Sequence, residues 1–239
     1  MSDEITDIRE KGMGPDHKPQ YSERRVYFQL LVWTECADTE DVVNCFKEHD
    51  LRGCVIEDVN DPYGIAIITF SEDPAYFVET VRPVLNKDPF ADLVLKDEYT
   101  MLGRTYAIGY EQDLDETLLK RPVRNLLRMS CPWIVFYPLK RKGEFNTMEI
   151  GEQRKILGEH GVIGRAFGEA GLAQDIRLAS FGLDKNDNDF TIGLVSKELI
   201  GASAIVQAMR KTEQTSNYME HMGPFFVGHK VFASTNPYE

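Results

Sequence analysis

Positive charge is scarce in this sequence. Its 239 residues include 27 Lys and Arg against 39 Asp and Glu, so the formal net charge is −12. Proteins that bind nucleic acid neutralise phosphates with a basic surface, and a chain this acidic is a poor candidate for that role. We therefore expect no nucleic-acid partner.

Long hydrophobic runs are missing as well. No segment approaches the roughly 18 consecutive apolar residues of a membrane-spanning helix. Residues 1–24 are also too polar to resemble a secretory signal. These two absences predict a cytoplasmic protein without a membrane span.

Several common catalytic and metal-binding motifs are absent from the sequence. There is no glycine-rich nucleotide loop, no HExxH zinc motif and no GxSxG nucleophile elbow. The cysteines lack CxxC spacing, which argues against a disulfide framework or a zinc site. They are Cys36, Cys45, Cys54 and Cys131. None of these motifs therefore competes with the candidate residues described below.

What the sequence does contain is an alternation of short β-rich runs and amphipathic segments. In the first half the order is strand, helix, strand, strand, helix, strand, at 27–36, 39–50, 53–58, 64–70, 75–85 and 93–112. The same order recurs at 131–139, 148–169, 176–183, 190–195, 197–218 and 225–232. A duplicated βαββαβ unit explains this repetition, because a sheet with helices on one face needs a cover for the other.

We therefore predict an α+β fold of two ferredoxin-like units. Their sheets pack face to face as an open, dimeric α+β barrel with the helices outside. The predicted division is a flexible segment at 1–24, a first half at 25–112, a basic connector at 113–130 and a second half at 131–239. Thr39 is the predicted N-cap of the first helix.

His160 is the first candidate functional residue. It follows Ile156 and precedes Ile163 and Phe167 at spacings of four, three and four residues, so all four side chains lie on one helix face. A histidine on an apolar face is often a core residue that bonds to backbone. The alternative is a buried ligand of a metal or haem, a role for which a neutral imidazole is suited.

Glu213 is the second candidate. It ends an apolar stripe formed by Leu199, Ala202, Val206 and Met209 in the predicted last helix. A glutamate at a helix end can simply reach solvent. The helix that carries His160 is predicted to lie beside this one, however, and a carboxylate is a frequent hydrogen-bond partner of a metal-bound imidazole. We therefore predict a pairing between Glu213 and His160.

The third and fourth candidates lie together in residues 117–143. This window holds seven basic residues and no acidic ones, and they are Lys120, Arg121, Arg124, Arg128, Lys140, Arg141 and Lys142. The window is either a solvated linker face or a site for a small molecule with several negative charges. Tyr137 lies within it, on a predicted strand that places Trp133, Val135 and Tyr137 on one face. Its phenol is either a packing group or a redox or acid–base group.

Several motifs in their order resemble the chlorite dismutase-like haem protein family over about residues 121–231. They are Tyr137-Pro138 with adjacent basic residues, Glu159-His160-Gly161, the run SFGLD at 180–184, Met209-Arg210, Glu213 and the run GPFFVG at 223–228. The resemblance implies a duplicated ferredoxin-like fold, a porphyrin in the second half with His160 as its proximal ligand, and Glu213 as the partner of that histidine. It also implies a homo-oligomer, commonly a pentamer.

Tyr137 directs the resemblance to one branch of the family. Coproheme decarboxylases have a tyrosine before this proline, whereas chlorite dismutases have an aliphatic residue. The resemblance therefore favours peroxide-dependent oxidative decarboxylation of iron coproporphyrin III to haem b through a Tyr137 radical. Basic residues would bind the propionates, and the candidates are Arg124, Arg128, Lys140 and Arg141. The alternatives are a chlorite dismutase or peroxidase-like haem protein, and a haem carrier or sensor without catalysis.

The residue on the distal side of the porphyrin is less well defined by the resemblance. Counting back from Gly182 places Asp175 there, whereas counting forward from His160 falls at Ala173, because this loop is about two residues longer. Gln174 lies between the two. We therefore retain Gln174 and Asp175 as candidate distal residues.

Overall fold

The computed structural model describes residues 6–238, so residues 1–5 of the flexible segment predicted at 1–24 lie outside the described residues, as does 239. The first half contains β1 (Glu10–Met13), β2 (Pro19–Ser22), β3 (Tyr27–Thr34), α1 (Thr39–Glu48), β4 (Gly53–Asp58), β5 (Ile65–Ser71), α2 (Arg82–Leu85), β6 (Val94–Leu95) and β7 (Met101–Thr105). A π-helical turn, Phe77–Val81, runs directly into α2.

The connector forms a second π-helical turn, Glu116–Lys120, followed by α3 (Arg121–Leu127). The second half contains β8 (Trp133–Arg141), α4 (Gly143–Asn146), α5 (Ile150–Glu169), β9 (Gln174–Ala179), β10 (Phe190–Ser196), α6 (Leu199–Met209), α7 (Glu213–Tyr218), β11 (Met219–Met222) and β12 (Phe226–Ala233). None of the helices within residues 6–238 is long and apolar enough to cross a membrane.

The two halves have the same strand order, which confirms the predicted α+β duplication. The first half pairs its strands in the order β7-β3-β5-β4, and the second half pairs its strands in the order β12-β8-β10-β9. Each order runs from the unit's fourth strand through its first and third to its second. In both, the unit's first strand lies centrally beside its third. The sheets also pair with each other, because β7 bonds to β9 and β12 bonds to β4. The open barrel expected from the sequence is therefore a ring of eight strands that is hydrogen-bonded at both seams.

Strand alternation divides the sheet residues between the barrel interior and its two helix-covered outer faces. On β8, Ile134 and Phe136 belong to the interior cluster, whereas Val135, Tyr137 and Leu139 pack outward beneath α5 and α6. The predicted face of Tyr137 is therefore confirmed. The outer face of the first half is a separate apolar cluster under α1 and α2.

The connector contributes apolar side chains to the interior of the barrel. Leu118, Leu119, Val123, Leu126 and Leu127 are buried in the same cluster as the inward residues of both sheets. The ammonium group of Lys230 on β12 donates to the carbonyls of Leu126 and Arg128 at 2.6 and 2.8 Å. The connector therefore contributes to the core of the barrel and also contains several of the basic residues.

Four local expectations differ from the structure. The segment predicted to be flexible contains the β1–β2 hairpin, which is tied to the first half by a bond from the Met13 NH to the Glu111 carbonyl. The N-cap of α1 is Asp38, whose carboxylate accepts from the Glu40 NH at 2.8 Å. Thr39 is the first helical residue instead, and its hydroxyl donates to Glu57.

The third difference lies in the last predicted helix, at 197–218. It divides into α6 and α7, because Thr212 begins a new helix as its N-cap. The predicted strand region at 93–112 is likewise shorter, and it comprises β6, a 3-10 turn at Asp97–Tyr99 and β7.

Candidate functional site

Tyr137 lies at the centre of the outer face of the second half. Only 6% of the residue is exposed, and its ring stacks on Phe225 with a centroid distance of 4.4 Å and an interplanar angle of 18°. Burial raises the pKa of the phenol, and the nearby positive charge of Arg210 only partly opposes that shift. The hydroxyl is therefore protonated at neutral pH, and its oxidation would release a proton together with an electron.

A row of paired residues brings an arginine to the face that carries Tyr137. Tyr137 on β8 pairs with Ile192 on β10, and Ile192 pairs with Arg177 on β9. Directly paired residues share a sheet face, so Arg177 lies on the same face as the phenol, two strands away. Arg177 is not among the residues that sequence reasoning identified.

Asp175 and Gln174 begin β9 and have different surroundings. The Asp175 carboxylate lies 3.2 Å from the guanidinium of Arg177 and forms an ion pair with it. The Gln174 amide donates to the carbonyl of Gly168 near the end of α5. Asp175 and Arg177 also line a cavity of about 10 Å³ with Tyr106 and Arg121, which is room for roughly one water molecule. The assignment of Gln174 and Asp175 as distal residues stays a prediction.

Arg141, from the basic window at 117–143, lies on the same outer face of the second half as Tyr137. Its guanidinium lies over the rings of Phe190 and Phe145, at 4.4 and 4.9 Å from their centroids. Burial lowers the pKa of Arg141 from its usual value. Alternation along β8 places Arg141 on the same face as Tyr137, four residues further along the strand.

The other predicted basic residues lie in different surroundings. Lys140 occupies the opposite face of β8 and pairs with Asp187 at 2.5 Å. Arg124 on α3 pairs with Glu116, and Arg128 is exposed at the end of that helix. Arg210 is thus the positive charge that acts on the Tyr137 phenol, while Arg177 and Arg141 share its sheet face at a greater distance. Of these three arginines, only Arg141 belongs to the cluster predicted from the sequence.

His160 has the position predicted for it on α5. Ile156 is buried, and Ile163 and Phe167 pack into the cluster that contains Tyr137. Burial lowers the pKa of His160 to about 4, and the positive charge of Arg141 acts in the same direction. The imidazole is therefore neutral at pH 7, which is the state that binds a metal ion.

The hydrogen-bond partners of His160 lie on or next to α7. Its Nδ1 lies 3.2 Å from the hydroxyl of Thr212, and its Nε2 lies 3.2 Å from the hydroxyl of Thr215. The amide of Gln214 lies between the ring and Arg141. Its oxygen accepts from Arg141 at 3.1 and 3.3 Å while its nitrogen reaches Nδ1 at 3.3 Å.

The predicted pairing of Glu213 with His160 is wrong in this structure. The Glu213 side chain is exposed, and its backbone NH donates to the carboxylate of Glu159 at 2.8 Å. The physical reason is the break between α6 and α7. Leu199, Ala202, Val206 and Met209 do pack as the predicted stripe, but the helix ends at Met209 and the chain turns before Glu213.

The arrangement combines an apolar layer with a few polar groups of defined chemistry. A neutral imidazole can bind a metal, a protonated phenol can supply a hydrogen atom, and arginines can bind carboxylates or other anions. Knowledge of the strand register would have identified Arg177 as a residue on the face of Tyr137. Knowledge of the helix break at Thr212 would have excluded Glu213 as the partner of His160. The sequence carries a signal only for the helix break, because threonine is a favourable N-cap residue.

The chain is similar to known proteins both in sequence and in fold. A family model described as chlorite dismutase matches residues 63–231. A heme-binding protein from Thermus thermophilus has a similar structure, with a TM-score of 0.69 and 17% identity over 87% of this chain and 92% of its own. We find no match among curated protein sequences.

Two structures of chlorite dismutase from Candidatus Nitrospira defluvii are also similar. A mutant in complex with cyanide has a TM-score of 0.67 and 14% identity, and a complex with imidazole has a TM-score of 0.65 and 13% identity. Each match covers 87% of this chain and 92% of the other. Identities this low establish a shared fold and leave the chemistry to be argued from the residues.

Proposed function

Because the chain belongs to the chlorite dismutase family, we propose that it is a haem-dependent oxidoreductase. We further propose that its reaction is the peroxide-dependent oxidative decarboxylation of iron coproporphyrin III to haem b. The observation that carries this proposal is Tyr137, a buried, protonated phenol on a face with arginines.

The donor chemistry of the site fits an iron porphyrin. His160 on α5 supplies a neutral imidazole, and the ring nitrogen that would hold the iron would exchange its threonine contact for the metal. The cluster between α5, α6 and the sheet is apolar around Tyr137, which suits the faces of a macrocycle. When bound, the iron supplies the redox chemistry with peroxide that side chains alone lack.

The arginines supply the binding of carboxylates. Arg177 lies two strands from Tyr137 in the same row, and Arg141 lies on the same face further along β8. Guanidinium groups bind carboxylates through two parallel hydrogen bonds, so both suit the propionates of the substrate. Arg124, Arg128 and Lys140 were predicted from the sequence for this role and stay candidates, although Arg124 and Lys140 form ion pairs with Glu116 and Asp187, as Arg177 does with Asp175.

The role of Tyr137 is to move a hydrogen atom. As a radical it would take a hydrogen atom from a propionate side chain, and loss of carbon dioxide and one further electron would leave a vinyl group. Each propionate thereby loses two electrons and one proton. Hydrogen peroxide takes up these two electrons, this proton and one proton from solvent to become two water molecules. Two such cycles would convert the tetrapropionate into haem b.

Chlorite dismutation is the second candidate. Arg177 is the observation that favours it, because its guanidinium has five N–H donors and could bind a small anion such as chlorite through those that do not face Asp175. A peroxidase-like activity and a non-catalytic carrier or sensor also remain compatible with the family. The homopentamer and the cytoplasmic location stay predictions.

The experiment mixes the apoprotein with ferric coproporphyrin III under anaerobic conditions and then adds hydrogen peroxide. Mass spectrometry should show loss of carbon dioxide from one and then two propionates. Tyr137→Phe should retain porphyrin binding and lose this turnover, while Tyr63→Phe, an exposed tyrosine in a first-half turn, should behave like the wild type. Full turnover by Tyr137→Phe would contradict the radical role, and oxygen release from chlorite would favour the second candidate.

A further inference from the structure

The chain passes from the first half to the connector along one side of the candidate site. β7 pairs with β9 through Arg104 and Thr105, and the strand ends at Thr105. The next residues, 106–111, form neither helix nor strand, and we refer to them as the strap. Continued pairing would place Tyr106 opposite Arg177, so the strap leaves β9 at the row of residues that leads to Tyr137.

The strap spans the distance from β9 to α5. Tyr106 packs into the cluster that contains Tyr137, and its ring centre lies 5.6 Å from that of Phe190. Near the other end of the strap, the guanidinium of Arg154 on α5 lies 5.7 Å from the centre of the Tyr110 ring. The strap therefore covers the side of the candidate site that faces the first half.

Two carboxylates accept from four successive backbone NH groups of the strap. Glu10 on β1 accepts from the Ala107 NH at 2.9 Å. The Glu111 carboxylate accepts from the next three NH groups at 2.9, 2.9 and 3.0 Å, those of Ile108, Gly109 and Tyr110. Backbone outside helices and strands needs such acceptors, and charged acceptors form the stronger bonds. The shape of the strap thus depends on Glu111.

The β1–β2 hairpin holds the strap through the same residue. The carbonyl of Glu111 accepts from the Met13 NH at 2.9 Å and from the Gln20 amide at 2.7 Å. Gly12 lies against this carbonyl, because a Cβ added there would be 2.7 Å from its oxygen. The hairpin belongs to neither duplicated unit, and its contacts attach the strap to the first half.

We propose that Glu111 is a positioning residue of the candidate site, which fastens the strap and thereby controls the entry and exit of the porphyrin. This inference rests on the proposed function, because it concerns exchange of the proposed ligand. Its carboxylate shapes the strap and its carbonyl binds the hairpin, so loss of either contact frees Tyr106 from the layer around Tyr137. Easier opening raises the rates of association and dissociation by the same factor and leaves Kd unchanged.

The first test uses the apoprotein and needs no porphyrin. Glu111→Ala removes the carboxylate and keeps the carbonyl. Hydrogen exchange of the amides at 108–110 should become about 10-fold faster or more, the equivalent of one lost charge-assisted hydrogen bond. Glu79→Ala, at an exposed glutamate of the first half, is the control and should exchange like the wild type. Unchanged exchange at 108–110 in Glu111→Ala would overturn the inference.

The second test changes the hairpin and leaves Glu111 in place. Gly12→Val should push the Glu111 carbonyl away and speed exchange at 108–110 as Glu111→Ala does. Gly14→Ala, whose Cβ would lie 3.2 Å from the nearest atom, is the matched control in the same hairpin. Slow exchange in β3 and β5 shows that each variant retains the folded barrel. Faster exchange confined to the hairpin would contradict its role in holding the strap.

The third test measures ferric haem exchange, which a purely structural role would not change. Stopped-flow mixing gives the association rate, and transfer to apomyoglobin gives the dissociation rate. Both should rise about 10-fold in Glu111→Ala and Gly12→Val, while Kd stays within about 3-fold of the wild type. Faster dissociation alone would make the strap a binding contact instead, and unchanged rates would show that the porphyrin does not pass the strap. Either result rejects control by the strap.

The same measurements distinguish failure of this inference from failure of the proposed function. If the wild type binds neither haem nor coproheme, the proposed function fails and control of porphyrin exchange fails with it, while amide exchange still decides whether Glu111 fastens the strap. If the wild type decarboxylates coproheme and Glu111→Ala exchanges haem at the wild-type rates, the proposed function stands and this inference fails.

Discussion

The two halves of the molecule share one topology and use their outer faces differently. In the first half the face under α1 and α2 is filled by large apolar side chains, among them Trp33, Phe46 and Phe90. In the second half the equivalent face holds Tyr137 and Arg177 among its apolar residues. The outer face of the first half is thus an apolar core, whereas the outer face of the second half combines apolar residues with polar groups.

The covering helices differ in the same sense. Three residues of the 10-residue helix α1 are buried, whereas Ile156 is the single buried residue of the 20-residue helix α5. A helix with few buried side chains contributes less to stability and is free to present its inner face to a ligand. The covering helix of the second half therefore buries fewer side chains than that of the first half, and the candidate site lies beneath it.

The largest expected effect is on stability and tests this difference directly. Phe46→Ala in the first half should lower the free energy of unfolding by about 3–5 kcal/mol, because a fully buried aromatic ring is lost. Ile163→Ala on the inner face of α5 should cost well under half of that, since the residue is only partly buried. Denaturant unfolding of the apoprotein measures both, and equal losses would contradict the comparison.

The next largest effect concerns haem binding. His160→Ala should weaken haem affinity about 100-fold and alter the ferric absorption spectrum, because the axial nitrogen is removed. The matched change in the first half is His49→Ala, at the C-terminal cap of α1. That variant should bind haem like the wild type. A comparable loss in both variants would mean that the second half is not specialised for the porphyrin.

A smaller effect is expected for the anion-binding role of Arg177. Arg177→Gln should raise the apparent KM for coproheme about 10-fold, the equivalent of one lost charge-assisted hydrogen bond of about 1.5 kcal/mol. Arg165→Gln, an exposed arginine on α5, serves as the control and should leave KM unchanged. Steady-state turnover with peroxide measures the difference, and an unaltered KM in Arg177→Gln would remove this residue from the site.

Local periodicity predicted much of this molecule. The order of strands and helices along the chain, the face that Tyr137 shares with Val135 and the inner face of α5 all follow from alternation or from helical spacing, which are properties of a few neighbouring residues. The family resemblance, carried by motifs around Tyr137 and His160, agrees with the match to residues 63–231.

What the sequence could not predict depends on pairing between distant segments. Arg177 reaches the face of Tyr137 only through the register of β8 with β10 and of β10 with β9. Glu213 continues the spacing of the stripe on α6, but the chain turns at Thr212 and the periodicity ends there. Tertiary register and a helix break thus account for the residue that was missed and the pairing that was wrong.

The smallest effect tests whether the helices differ at their ends as well as along their faces. Asp38 caps α1 through a bond to the Glu40 NH, so Asp38→Ala should lower the free energy of unfolding by about 1 kcal/mol. Glu149 occupies the N-cap position of α5 without a side-chain cap bond, so Glu149→Ala should change stability by a few tenths of a kcal/mol. Denaturant unfolding resolves such a difference when both variants retain the wild-type m value. Equal costs would show that α5 is anchored at its start as firmly as α1, and the looser second-half helix would then be a matter of its buried face alone.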